Sequence, residues 1–437
     1  MADRAQTLDE VFDVLDLQPL EFGGEIKSPA SDPAFYVEPP PRDEGDDGLP
    51  GPRLAESINN QLLRQTRPAK LFLSGHVGSG KSTQINKLAA DAKLKEAFSI
   101  LLLRIEAESV PFLDATQLLF LIAGVIFQFG LEENLLTDNA KWKRILFDLN
   151  TRIYGQKGIE MKAGALAVEF NVLFLKLRQD LQLNEHSRQQ FRELGETQQN
   201  LLVDLLTTLT LDIETSLVAQ NRHHSLLLLI DDLDKVRGPE QQKDIFNTNL
   251  GLLLALPFRV LYTVPTGVVF GPNRVEVRRA LEHLYPVRVL EKAPRSYNPE
   301  RAFIPGSDAF FRRALDQRVE PRLFEEEAVR LATIYSGGVL RDFFRLLYTA
   351  VSIARTNSLE VVDGRALRAA IRDERLRESR GLLAPDYAAL LAIHETHAMG
   401  TDADRRYLDE SRVLECYNDQ TWYEVSPLLW KLLEPQD

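Results

Sequence analysis

The 437-residue sequence has one cysteine, Cys416, so no disulfide can form within the chain and a reducing, cytoplasmic setting is expected. Positive charge is in deficit. Lys and Arg number 52 against 64 Asp and Glu, and the net charge of −12 argues against broad attraction to nucleic acid or anionic lipid, with local basic patches left open. Long apolar runs are nearly absent too. Only residues 115–131, "ATQLLFLIAGVIFQFGL", stay free of charge for 17 positions, at the lower limit for a spanning helix. Polar Thr116, Gln117 and Gln128 interrupt that run and no comparable one follows, so a helix buried against a sheet is expected and no membrane. The first residues, "MADRAQTLDEVFDVLD", are acidic and lack the apolar core of a signal peptide. No internal repeat is visible.

What is present reads as a globular chain of two or three domains, with 44% apolar and 27% charged residues. Residues 28–52 are rich in Pro, Gly and Asp and are expected to form an irregular lead-in, placed with the whole of residues 1–54. From about residue 69, short apolar runs alternate with helical patterns: 70–75, 99–107, 225–234, 258–265 and 285–293. Near-continuous apolar strands separated by helices imply an α/β fold whose parallel sheet is covered on both faces.

A mostly helical insertion, about 108–222, separates the second run from the third. Within it a long helix is expected from near Ser187, and 162–178, "KAGALAVEFNVLFLKLR", alternates as a strand or hairpin. The insertion serves either partner contacts or a larger core. The α/β core therefore spans 55–295. Residues 296–380 follow as a helical lid, with Phe343, Leu346, Leu347 and Ala350 at helical spacing. The C-terminal unit, 381–437, reads as helix, hairpin turning at Asn418-Asp419, and closing helix.

The chemistry concentrates in "GHVGSGKST". Gly75, Gly78, Ser79, Gly80, Lys81, Ser82 and Thr83 complete a P-loop between an apolar strand and a helix. Glycines allow backbone N–H groups to converge on phosphate oxygens, and the helix N-terminus adds a favourable dipole. Lys81 is placed to reach the β- and γ-phosphates and Ser82 to ligate Mg²⁺, while His76 is assigned no role. In "LLLLIDDLD", Asp231 ends a strand where it can hold the metal's shell, and Asp232 is placed to orient or deprotonate the attacking water. Asp234 is a third carboxylate without a fixed role. At the end of "FRVLYTVPTG", Thr263 or Thr266 is a candidate γ-phosphate sensor, with an ordinary strand terminus as the equal alternative. In "SGGVLRDFFRLL", Arg341 sits one turn into a helix opened by a Gly-Gly pair, where its guanidinium can swing onto a phosphate. Arg274, Arg278 and Arg279 offer either an arginine finger or a solvated face.

These motifs, in order over residues 55–375, resemble the AAA+/STAND group of P-loop NTPases. The lid is similar to the origin-recognition and archaeal-initiator branch, and "IDDLD" with the long insertion is similar to the KAP NTPases. The ending "RVLECYNDQTWYEVSPLLWKLL" looks like a winged helix. The resemblance implies a sheet of order 5-1-4-3-2, ATP with Mg²⁺ as ligands, and assembly controlled by nucleotide. Lys81, Ser82, Asp231, Asp232 and Arg341 match the family's positions. Asp232 stands where many relatives carry Glu, which implies slow or partner-activated hydrolysis.

Two functions are then expected. One is an ATP-dependent switch that forms a homo-oligomer or engages a protein effector or sensor partner, as relatives do in antiviral defence and signalling. No nuclease, protease or TIR-like motif lies in this chain, so an effector would be a separate protein. The alternative is a DNA-binding initiator or loader using the terminal unit. That unit offers only Arg405, Arg406, Arg412 and Lys431 among many acids, which favours protein contacts over DNA. A scaffold that binds nucleotide without turnover is a third reading.

Overall fold

The computed structural model describes residues 4–23, 26–41, 53–64, 67–107, 109–154, 165–183, 185–222, 225–270, 275–292, 296–418 and 420–435. Seven strands occur among them: β1 Lys70–Gly75, β2 Phe98–Arg104, β3 Ser225–Asp231, β4 Arg259–Thr263, β5 Leu281–Leu284, β6 Val413–Asn418 and β7 Gln420–Val425. The first five form one sheet of order β2-β3-β4-β1-β5, the order expected from the resemblance read from its other edge. The β2–β3 and β3–β4 pairings are parallel. In β3 all six residues from Leu226 to Asp231 are buried, as a strand covered on both faces requires.

The chain divides into two compact units. One comprises 1–57, 73–90 and 282–437; the other comprises 58–72 and 91–281. The second unit holds a continuous apolar core of sheet and insertion helices. Its Ala115–Glu132 helix opens with a reciprocal cap in which Asp114 Oδ1 accepts from Gln117 N and Gln117 Oε1 accepts from Asp114 N. Among the described residues it is the one helix long and apolar enough to cross a membrane, and 67% of it is buried inside the protein. Phe127 on this helix stacks on Phe170 with ring centroids 4.4 Å apart.

Two expectations are corrected here. The strand or hairpin expected at 162–178 is a helix, Leu166–Leu183, over the described part of that stretch. Leu166, Phe170 and Leu173, at helical spacing, turn inward, while Val168, Val172 and Leu175 are exposed. The fifth strand lies at Leu281–Leu284, upstream of the expected 285–293. It carries two buried titratable residues, Glu282 and His283. Glu282 Oε1 accepts a 2.7 Å hydrogen bond from Ser57 Oγ, which accounts for an acid in a strand.

The first unit contains the P-loop helix Lys81–Ala90, a bundle of Glu326–Tyr335, Leu340–Thr356 and Gly364–Glu378, and a terminal group made of the Ala384–Thr396 helix and the antiparallel β6–β7 hairpin. Asp419, where the hairpin was expected to turn, lies outside the described residues. The N-terminal lead-in, expected to be irregular, carries the short helix Val11–Val14 and two 3-10 turns at Pro29–Ser31 and Pro33–Phe35, and it is packed. Leu20 N donates to Thr83 Oγ1 and Leu20 O accepts from Asn86 Nδ2. Arg318, almost fully buried, donates to Phe35 O and Ala314 O, with its guanidinium over the rings of Phe35 and Phe344.

Candidate functional site

In the first unit β1 runs into the loop Gly75–Gly80 and the helix from Lys81. Gly75, Gly78 and Gly80 have φ of 152°, 90° and 104°, backbone that side chains resist and a converging loop needs. Lys81 is buried, and its ammonium donates to Gly75 O at 2.7 Å and His76 O at 2.9 Å. A cation is thus already held inside the loop by carbonyl oxygens. Ser79 N donates to His76 O at 3.1 Å, and Gln84 N to Gly80 O at 3.0 Å. Ser82 follows Lys81 at the start of the helix, and Thr83 is the anchor for Leu20.

Arg341 lies against this loop. Its backbone N donates to Gly78 O at 3.2 Å, and a Cβ on Gly78 would lie 2.3 Å from Arg341 Cβ. The Gly-Gly pair before it has the same function of close approach. Gly337 and Gly338 have φ of 60° and 87°, and a Cβ on Gly338 would lie 1.8 Å from Val287 O.

Beside the helix carrying Lys81 lies a cavity of about 320 Å³, within the size range of small-ligand pockets. Its walls include Leu54, Gln84, Tyr285, Val287, Phe310 and Tyr417. Tyr36 OH accepts from Gln84 Nε2 and from Lys87 Nζ, each at 3.1 Å. Glu38 closes the set with a 2.6 Å contact to Lys87. Desolvation by burial raises the Tyr36 hydroxyl's pKa even though Gln84 and Lys87 oppose it. Tyr36, Glu38, Gln84 and Tyr285 are absent from the expected site. The stretch "FYVEPPP" was the available signal, an aromatic pair inside a proline-rich segment that otherwise reads as linker.

The second unit holds the carboxylates. Asp231, Asp232 and Asp234 place one oxygen each within 4.8 Å of the others. Asp231 is buried at the end of β3, and its Oδ1 accepts from Asp232 N at 2.9 Å. Asp232 adopts a left-handed backbone, φ 67°, and its carboxylate is held by Lys235 Nζ at 2.8 Å. Leu233 N donates to Thr263 Oγ1 at 3.0 Å, so of the two threonines Thr263 is the one seen bonded to the acidic loop. Thr266 is buried in the following turn. Arg278 and Arg279 are exposed on the short Val275–Arg279 helix, and Arg274 lies outside the described residues.

The Lys235 contact bears on Asp232 as a base. The 2.8 Å contact with Lys235 Nζ fixes the direction in which the Asp232 carboxylate points. Lys235→Ala is therefore expected to alter phosphate release at saturating nucleotide by several-fold, with an unchanged melting temperature because the pair is half exposed. Equal turnover in both proteins would remove Lys235 from consideration.

No family model matches the sequence, and no curated protein matches it. Among solved structures the chain is similar to Cdc6p from Pyrobaculum aerophilum, at 12% identity over 92% of this chain and 96% of that one, TM-score 0.39. It is similar to the ORC2 protein of Aeropyrum pernix in its ADPNP–ADP complexes, at 13% identity over 92% and 96%, TM-score 0.40. A third is the Drosophila ORC bound to DNA, at 12% identity over 97% and 98%, TM-score 0.35. Likeness at this level carries no inference about the activity of this chain.

Proposed function

We propose that the chain is an ATPase whose nucleotide state switches its assembly with further copies of itself or with a partner. The observation that carries this is the loop Gly75–Gly80 with its three positive-φ glycines, closed by the buried Lys81 at the start of a helix. The backbone N–H groups of such a loop and the helix N-terminus favour phosphate. Lys81 supplies charge to the β- and γ-phosphates, and Arg341, packed on Gly78, is the lid residue that reads the γ-phosphate. The cavity beside Gln84 takes the base, with Tyr285 and Leu54 as apolar walls.

Mg²⁺ is a hard cation that prefers oxygen ligands, and the Ser82 hydroxyl in the first unit and the Asp231 carboxylate in the second are each, taken separately, donors of that kind. When bound, Mg²⁺ would neutralise charge on the phosphate oxygens. Asp232 orients the attacking water and takes its proton, with Lys235 fixing the direction of its carboxylate. The likeness to STAND and KAP proteins, a separate effector and a role in antiviral defence rest on sequence resemblance alone.

The test is binding of a fluorescent ATP analogue with Mg²⁺, followed by light scattering for mass. Wild type is expected to bind and to gain mass with nucleotide, and Lys81→Ala to lose on the order of 100-fold in affinity, the scale of losing a charge-assisted contact. Unchanged binding by Lys81→Ala would end this reading.

A second reading, an initiator or loader that contacts DNA, draws on a different feature. An open cleft of about 920 Å³ in the first unit is lined by Arg301, Arg368, Arg372, Arg375 and Lys431 against Glu300 and Glu434. It is a local basic surface on an acidic chain. If it takes a phosphate backbone, duplex affinity will fall steeply with salt and Arg372→Glu will weaken it; binding that ignores both would exclude this cleft.

A further inference from the structure

His76 occupies a position in the loop where phosphate binding makes no demand on the side chain, yet it is among the most buried polar residues of the first unit. Its Nε2 accepts a 2.7 Å hydrogen bond from the backbone N–H of Glu415, 339 residues further along the chain on β6. Accepting at Nε2 requires that this nitrogen carry no proton, so the ring is neutral with its hydrogen on Nδ1. Burial and the neighbouring Lys81 ammonium hold its pKa down at about 3, in keeping with that form.

Two more contacts close a circuit. The P-loop meets the lid where Arg341 N donates to Gly78 O, with no room for a Cβ on Gly78. The lid meets the hairpin at Gly337, where a Cβ would lie 2.4 Å from Leu414 Cδ1 and 3.1 Å from Pro427. Leu414 and Glu415 are adjacent on β6. One strand of the hairpin therefore touches both the loop, through Glu415, and the start of the lid, through Leu414.

We propose that the β6–β7 hairpin is a control element of the nucleotide loop, with His76 as the positioning residue that links them. The proposal rests on the nucleotide-site reading given above. The Lys81 ammonium has three N–H donors, and two are committed to the carbonyls of Gly75 and His76. Meeting two phosphate oxygens releases at least one of those carbonyls. Freeing the His76 carbonyl turns the peptide that carries the ring, and the ring is tied to β6.

The connection extends outward from β6. Its partner strand β7 is fixed to the Ala384–Thr396 helix through Glu424, whose Oε1 lies 2.7 Å from His394 Nδ1, and through Tyr423 N donating to His397 O. His394 Nε2 in turn lies 2.8 Å from Ser296 O. A protein engaging the terminal helix therefore acts on the same circuit. Coupling of this kind is reciprocal, so what shifts the hairpin must shift nucleotide affinity by the same factor.

Hydrogen–deuterium exchange on the full-length protein, with and without the ATP analogue and Mg²⁺, tests this. Nucleotide is expected to change exchange over 413–418 at least about fivefold in wild type, the lower range of measured couplings. In His76→Ala, compared at nucleotide saturating for that variant by its own Kd, the hairpin response is lost, and His76→Gln, whose side-chain oxygen can accept the same bond, restores part of it. Leu414→Ala, outside the loop, shifts the nucleotide Kd by a comparable factor and keeps the test open if His76→Ala does not fold. Nucleotide binding with unchanged exchange over 413–418 would overturn the inference and leave the site reading intact. Absence of binding by wild type would overturn both.

Discussion

Gly78→Ala is expected to lower the stability of the nucleotide-free protein by about 3 kcal/mol or more, and Gly80→Ala by only about 1 kcal/mol, because strain and overlap combine at one site only. Both glycines have positive φ, 90° and 104°, and an alanine strains either backbone. The difference lies in the space around them. A Cβ at Gly80 meets nothing within 4 Å, whereas one at Gly78 meets Arg341 Cβ at 2.3 Å and Cδ at 2.9 Å. Arg341 Cβ cannot rotate away, so the start of the Leu340–Thr356 helix must move. Melting temperatures of the two variants without nucleotide decide the matter, and equal losses would show that the lid is not seated on the loop.

Glu415 gives the second large effect, and its sign follows from burial. Its carboxyl is pushed up from an ordinary 4.5 to about 7 by desolvation. Between those two values the folded protein holds a proton that the unfolded chain has released, so stability falls as pH rises through that window. Below 4.5 both states are protonated and nothing is lost; above 7 both are ionised and the full cost remains. The shift from 4.5 to about 7 corresponds to roughly 3 kcal/mol. Glu415→Gln removes the titration while keeping the side chain's shape. Relative to wild type it is expected to melt higher at pH 8 than at pH 5. His283, buried with Nε2 3.8 Å from Glu415 Oε2, is retained in the variant, so the comparison isolates the carboxyl. Parallel melting curves against pH would show that Glu415 stays ionised in the fold.

Legibility followed the range of the determinant. The P-loop, the "IDDLD" strand end and Arg341 were readable because each is a short pattern whose chemistry fixes its residues. The sheet order came with the family resemblance rather than from any residue. The Leu166–Leu183 helix was misread because "ALAVEFNVLFL" satisfies both periods, and only the packing of Phe170 and Leu173 against the Ala115–Glu132 helix and its neighbours selects one. β5 was displaced because Glu282 and His283 disguise a strand as a polar segment. Tyr36 shows in the sequence only as an aromatic in a proline-rich stretch and His76 not at all, since their partners, Gln84 and Lys87 for one and Glu415 for the other, are remote in sequence. No local period encodes a contact between positions 76 and 415.

The N-terminal lead-in changes how a shortened chain must be judged. Leu20, Tyr36 and Glu38 lie on Thr83, Gln84, Asn86 and Lys87, side chains of the helix that begins with Lys81. A chain trimmed to the first helix longer than one turn, at Leu54, looks like a clean boundary on paper. It would strip four polar side chains of their cover and open one wall of the cavity, since Glu38, Pro39, Pro40 and Pro41 belong to it. Silence from such a fragment in a nucleotide assay would report a missing lining, and only the untrimmed chain can tell whether the loop works.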